Sequence, residues 1–271
     1  MCISHSVGLK GINHAKDVRM VQALLNENIL RLIPLAPLDV DGSVGNPMKS
    51  ATIAMIGEFQ KRVLGQAKPD MKVDPGGRTL TELRAGMGAG LTKNKLKAIM
   101  SNTTDALVDR YFQWLVTMMG NNQINTPLRM AHFLAQMGEE SGDLRWAEEL
   151  DSGDAYNGRA DLGNTQPGDG PRFKGRGLLQ LTGRNNYTLF GTARNRDFLT
   201  EPNNLLVATD PSLAVDSACW YWATLKNLNP LADADNVGEI TYRINGAYDG
   251  PNTHLDDRKA HLARAKCLLV P

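Results

Sequence analysis

Residues 127–141 constrain the fold most. Pro127 suits the first turn of a helix, where its missing N–H costs nothing. Leu128, Met130, Ala131, Phe133, Leu134, Ala135 and Met137 then fall on nearly every face. A helix apolar all round is stable only inside a domain, so this segment predicts a central, buried helix in a mainly α fold. It ends in Glu139-Glu140-Ser141-Gly142, two carboxylates carried to the C-terminal end of their own helix. Desolvation and the negative end of the helix dipole both disfavour a charged carboxylate there. A carboxyl group that keeps its proton near neutrality is suited to act as a general acid.

A second acidic pair, Glu148-Glu149, follows nine residues later, beyond Gly142 and Trp146. In one continuous helix that offset would be about 900°, placing the pairs on opposite faces. A helix ending at Gly142 lets the chain fold back and set Glu149 across a cleft from Glu140. Two carboxylates facing each other from different elements is the arrangement of glycoside cleavage. The competing reading leaves all four glutamates as solvated surface charge.

Composition narrows the field by exclusion. The formal net charge is +1, from +3 over residues 1–90 and −2 over 91–271, which gives no electrostatic footprint for nucleic acid. No apolar run reaches the roughly 20 residues of a membrane span. The segment Met1–Gly8 lacks the apolar core of a signal peptide, so synthesis in a cytoplasm is expected. Cys2, Cys219 and Cys267 have no metal-ligand spacing and read as free thiols. Five histidines contain no His-Glu-x-x-His and no zinc trio, and His132 reads as a core residue. The basic run Arg172–Arg184 could hold phosphate, but its interleaved glycines suit a loop packed against a sugar equally well. No Gly-rich strand-to-helix turn marks a nucleotide site.

The run Gly86-Met87-Gly88-Ala89-Gly90 has the composition of a domain boundary, dividing the chain into residues 1–88 and 89–271. Before it, Asp17 is read as the cap of a helix carrying Val18, Val21, Leu24 and Leu25. A second helix is expected over about 49–63 and a third over 79–83. Asp39, Asp41 and Ser43 begin like a calcium loop, but Ser50 stands where the closing glutamate belongs, and turn chemistry accounts for Asp41-Gly42. The strings 17–26, Val40-Asp41-Gly42, Phe59-Gln60 and 73–80, in that order, resemble the three-helix peptidoglycan-binding domains attached to cell-wall hydrolases.

The segment from Arg172 to Tyr187, with Gly175-Arg176-Gly177 before Gln180-Leu181-Thr182 and Asn186-Tyr187 after it, resembles the signature of family-19 glycoside hydrolases. Phe133 to Gly142 is similar to the helix bearing that family's general acid, which selects Glu140, with Glu139 standing at a position the family gives to histidine. The resemblance implies an α-helical, lysozyme-like catalytic domain with Glu140 as acid and Glu149 as base, Glu148 remaining the fallback. It implies Thr182 as the hydroxyl that holds the attacking water. It also implies Gln180, Asn186, Tyr187, Asn245 and Arg258 as substrate-binding residues, and inversion of configuration with carboxyls roughly 6.5–9.5 Å apart. The loop Tyr156 to Asn164 and the absence of a plant-type disulfide framework are similar to phage members of the family.

The combined expectation is a modular phage endolysin: a monomer that binds bacterial peptidoglycan and hydrolyses its β-1,4 bonds without metal or organic cofactor. No nucleic-acid partner and no stable membrane insertion are expected, and access to the periplasmic wall would depend on a holin. A chitinase is the alternative sharing the same signature. A zinc amidase would need a metal trio the sequence lacks, and a non-enzymatic wall-binding protein would have no need of Glu140, Glu149 and Thr182.

Overall fold

Asp17 does not cap the first helix. In the computed structural model, which describes residues 2–248, 250 and 253–270, α1 (Ala15–Glu27) begins after His14. Asp17 lies inside it, and its carboxylate accepts the backbone N–H groups of Ser4 and His5, each at 2.9 Å. The chain forms two compact units, one comprising residues up to Ser101 together with those from Ala260 onward, the other Asn102–Lys259.

In the first unit α1 packs against α2 (Ala51–Arg62), α3 (Arg78–Ala85) and α4 (Lys93–Ile99), and Val18, Val21, Leu24 and Leu25 are fully buried. A short antiparallel pair, β1 (Val7–Gly8) and β2 (Lys72–Val73), closes one side with Val7 opposite Val73. Two buried glutamines fasten the glycine-rich turns. Gln22 accepts from the Gly42 N–H and donates to Asp41; Gln60 accepts from the Met71 N–H and donates to Asp70. Each buried amide thereby finds its partners in a turn that it ties to the helix. Asp41 is consumed in this way, accepting also from the Ser43 N–H.

The compact units divide after Ser101, beyond the glycine run at 86–90, which Lys95 holds to the first unit. The fully buried Lys95 ammonium donates to the carbonyls of Gly88 and Gly90 and lies 3.6 Å from Glu27. The free-thiol expectation also fails for two cysteines: Cys2 and Cys267 form a disulfide with Cα atoms 5.1 Å apart, leaving Cys219 as the buried free thiol.

In the second unit, α6 (Pro127–Glu140) is the predicted central helix. Thr126 caps it by accepting from the Arg129 N–H, and Met130 to Gly138 are all buried. The unit also contains α5 (Asp105–Asn121), α7 (Asp169–Arg172), α8 (Arg184–Arg194), α9 (Leu206–Thr209), α10 (Pro211–Trp220), α11 (Asn229–Asp233), α12 (Val237–Asn245) and the start of α13 (Leu255–Leu269). Of these, α10 packs on α5, and α11 on both α6 and α12. Phe133 of α6 meets Trp222 edge-on. His132 is a buried core residue, its Nε2 2.7 Å from Asp235.

Candidate active site

The end of α6 carries the first carboxylate. Ser141 closes the helix, its hydroxyl donating to the Met137 carbonyl and accepting from the Leu144 N–H. Glu140 projects one turn beyond Gln136, on the same face. Arg258, 2% exposed, spans both. Its Nη2 donates to Glu140 Oε1 at 2.6 Å, its Nη1 to Gln136 Oε1 at 2.6 Å, and its Nε to the Thr253 carbonyl. Gln136 in turn donates to the Thr241 hydroxyl on α12. The fork is charge-assisted and leaves the guanidinium no freedom. Burial, reinforced by the charge of Glu140, pushes the nearby Tyr221 phenol well up. Glu139 faces elsewhere, with His254 Nδ1 3.4 Å from its Oε1.

Past Gly142 the chain reverses through Asp143 and Leu144, both with positive φ. It then runs beside residues 175–177, Ala147 accepting from the Gly177 N–H. Here Glu148 and Glu149 part company. Glu148, the fallback base, is paired with Arg176 at 2.9 Å. Glu149 turns the other way. Its Oε1 accepts from the Tyr156 hydroxyl at 2.8 Å and its Oε2 from the Gly175 N–H at 3.0 Å. The Gly175 position has no room for a side chain: a Cβ would lie 2.6 Å from Gln180 Oε1, 3.2 Å from Glu149 Oε2 and 3.3 Å from Thr182 Oγ1. Glu149, Gln180 and Thr182 therefore converge over this glycine. The Thr182 hydroxyl donates to the Gln180 carbonyl at 2.8 Å, so its lone pairs remain to accept a hydrogen from elsewhere.

Two of the residues expected to bind substrate have other work. Tyr187 is fully buried, its hydroxyl accepting from Arg176 and donating to the Lys174 carbonyl; it supports the 174–176 segment from beneath. Arg258 is equally buried and serves Glu140. Asn186 donates to the Thr182 carbonyl at 2.7 Å, joining α8 to the hydroxyl residue. Asn245, the last residue of α12, is exposed ahead of Gly246. Sequence reasoning missed Gln136, Gly175, Arg176 and Tyr156. Gln136 was legible as the residue one turn before Glu140; Tyr156 sits in a loop without periodicity and had no such signal.

The family model described as chitinase class I, glycoside hydrolase family 19, matches residues 128–253. A Haemophilus influenzae protein described as a glycosyl hydrolase family 19 domain-containing protein is 32% identical over 162 residues, covering 48% of this chain and 75% of the relative. The acidic 27 kDa endochitinase of Solanum lycopersicum is 36% identical over 110 residues, 33% of this chain and 44% of that one; the match thus spans less than half the plant enzyme. The crystal structure of chitinase C from Streptomyces griseus superposes with a TM-score of 0.54 at 21% identity, over 65% of this chain and 91% of that one, a likeness of fold.

Proposed function

The chain belongs to glycoside hydrolase family 19, and from that premise we propose that it hydrolyses the β-1,4 bonds of bacterial peptidoglycan by inverting acid/base catalysis. One observation carries the chemistry: Glu149, Gln180 and Thr182 converge over Gly175, while Arg258 fixes Glu140 through its Oε1. Because the guanidinium occupies Oε1 of Glu140, the transferable proton belongs on Oε2, where it protonates the departing glycosidic oxygen. On the other side a water gives one hydrogen to Glu149 Oε2 and the other to Thr182 Oγ1. Both its hydrogens are then held and a lone pair is free for the anomeric carbon. Tyr156 and the Gly175 N–H stabilise Glu149 while it acts as base.

The polymer is assigned from the first unit, whose motifs resemble peptidoglycan-binding domains. A phage endolysin made in the host cytoplasm and admitted to the wall by a holin is the setting that joins both units. The chitin alternative is favoured by the names of the plant relatives. Mass spectrometry of products from purified peptidoglycan, run beside chitin oligomers, decides between them. New reducing ends on N-acetylmuramic acid support the proposal; turnover of chitin alone overturns the polymer. Glu140→Gln is expected to lose more than about 1,000-fold in rate, and a variant that still cleaves refutes the acid.

A further inference from the structure

We infer that Tyr156 is a positioning residue for the base, its phenol fixing the rotation of the Glu149 carboxylate so that Oε2 faces Thr182. The inference rests on the reading of Glu149 as base and adds a residue to it. A carboxylate turns readily about its last bond, and the Gly175 N–H alone fastens only one of the two oxygens. The Tyr156 hydroxyl, 2.8 Å from Oε1, fastens the other.

The segment around Tyr156 is built to hold that hydroxyl still. Residues Asp154–Tyr156 form a single 3-10 turn, entered through Gly153 at φ 84°, where a Cβ would stand 2.8 Å from Lys174 and 2.9 Å from the Gly170 carbonyl. Asn157 accepts from the Gly170 N–H at 2.9 Å. Fully buried Asn164 donates to the Tyr156 carbonyl at 3.0 Å and accepts from the Arg184 N–H at 2.8 Å. Arg184 opens α8 two residues after Thr182, so the loop carrying Tyr156 and the hydroxyl carrying the water share one anchor. The long irregular stretch after Glu149 is thereby ordered around the residue that returns to it.

Other charged groups near Glu149 are committed elsewhere. Lys174 donates to the carbonyls of Glu149 and Asp151, and Arg176 is paired with Glu148. Arg159, whose charge reaches Tyr156, is paired with Asp161. Burial and the bond to Glu149 push the Tyr156 phenol up to about 12, so it remains a donor at every pH where a carboxylate base works.

The test uses Tyr156→Phe in the full chain, on the glycan that the wild type cleaves in the product analysis above, with and without Glu149→Ala. The phenyl ring preserves packing. The expected result is a kcat lower by at least about tenfold, KM within about twofold, an unchanged Tm and an acid limb of the kcat/KM profile moved to higher pH. In the Glu149→Ala background the same substitution should change nothing further. A kcat within twofold of wild type, or an equal loss in the Glu149→Ala background, overturns the inference while leaving the base in place. Wild-type rates in Glu149→Ala alone overturn the base assignment, and the inference with it.

Discussion

Gly175→Ala is the sharpest test of where the reaction takes place. The added methyl carbon would sit 2.6 Å from Gln180 Oε1, which must retreat by about 0.8 Å to reach the ordinary 3.4 Å contact; Glu149 Oε2 and Thr182 Oγ1 need give only 0.2 and 0.1 Å. Gln180 can swing its amide away, at the cost of its bond to the Gly177 carbonyl, so the fold should lose only about 1 kcal/mol. For a domain of this size that is about 2–4 °C in Tm. Catalysis should suffer much more, because the methyl stands where the attacking water must be held between Glu149 and Thr182. A misplacement of about 1 Å at a reacting centre costs on the order of 100-fold, equivalent to about 2.7 kcal/mol of barrier. Initial rates measured beside thermal melts give both quantities from one preparation. A variant with an unaltered Tm and more than a tenth of wild-type kcat would show that no nucleophilic water is housed over this glycine. A collapse of the fold would assign the glycine to packing. Gly177→Ala is the contrast: at φ 77° its Cβ would lie 2.3 Å from Ser217 Oγ, and its principal loss should be in Tm.

Three further outcomes are expected. Arg258→Ala strands the mostly buried Glu140 carboxylate and should cost about 3 kcal/mol of stability; Arg258→Lys restores charge without the fork to Gln136 and should recover stability more than kcat. Asp169 is held below the usual carboxylate range by its hydrogen bond to Arg184, so its stabilisation is full above an unfolded value near 3.8 and is lost as pH falls through the lower folded value. Between pH 4 and 2 the wild-type Tm should therefore fall more steeply than that of Asp169→Asn, and parallel curves would refute the pairing. Thiol titration of the denatured, unreduced protein should find one reactive group, Cys219, and three after reduction; three before reduction would refute the Cys2–Cys267 bond.

Local signals reached far along this chain where they acted alone. The central helix was legible to within a residue because Thr126, Pro127 and Ser141-Gly142 start and stop it in sequence, and Met130 to Gly138 between them are all buried. Asp17 misled because a carboxylate near a helix start is equally a cap or an acceptor for a neighbouring bend, and the N–H groups of Ser4 and His5 decide which. The glycine run at 86–90 has a linker's composition, yet Lys95 bonds to its carbonyls, a contact invisible to composition. The motif around Thr182 located Tyr187 without saying which way its ring points. Tyr156 escaped because its contact depends on Asn157 and Asn164 meeting Gly170 and Arg184, pairings that obey no period.

The return of residues 260–270 to the first unit changes how the two halves can be parted. The catalytic segment is an insertion, entered and left by the chain, rather than a bead after a tether. A protease cutting once within 86–90 would nick the protein without shedding a piece, since the Cys2–Cys267 bond spans the cut. Grafting the first unit onto another hydrolase would require two junctions, because a donor fragment ending at residue 88 would lack the Cys267 and Val270 carbonyls that accept from Arg84 and the Ile99 carbonyl that accepts from Arg264. Recombination at a single breakpoint would find no clean seam in this chain, since the first unit is built from both ends of it.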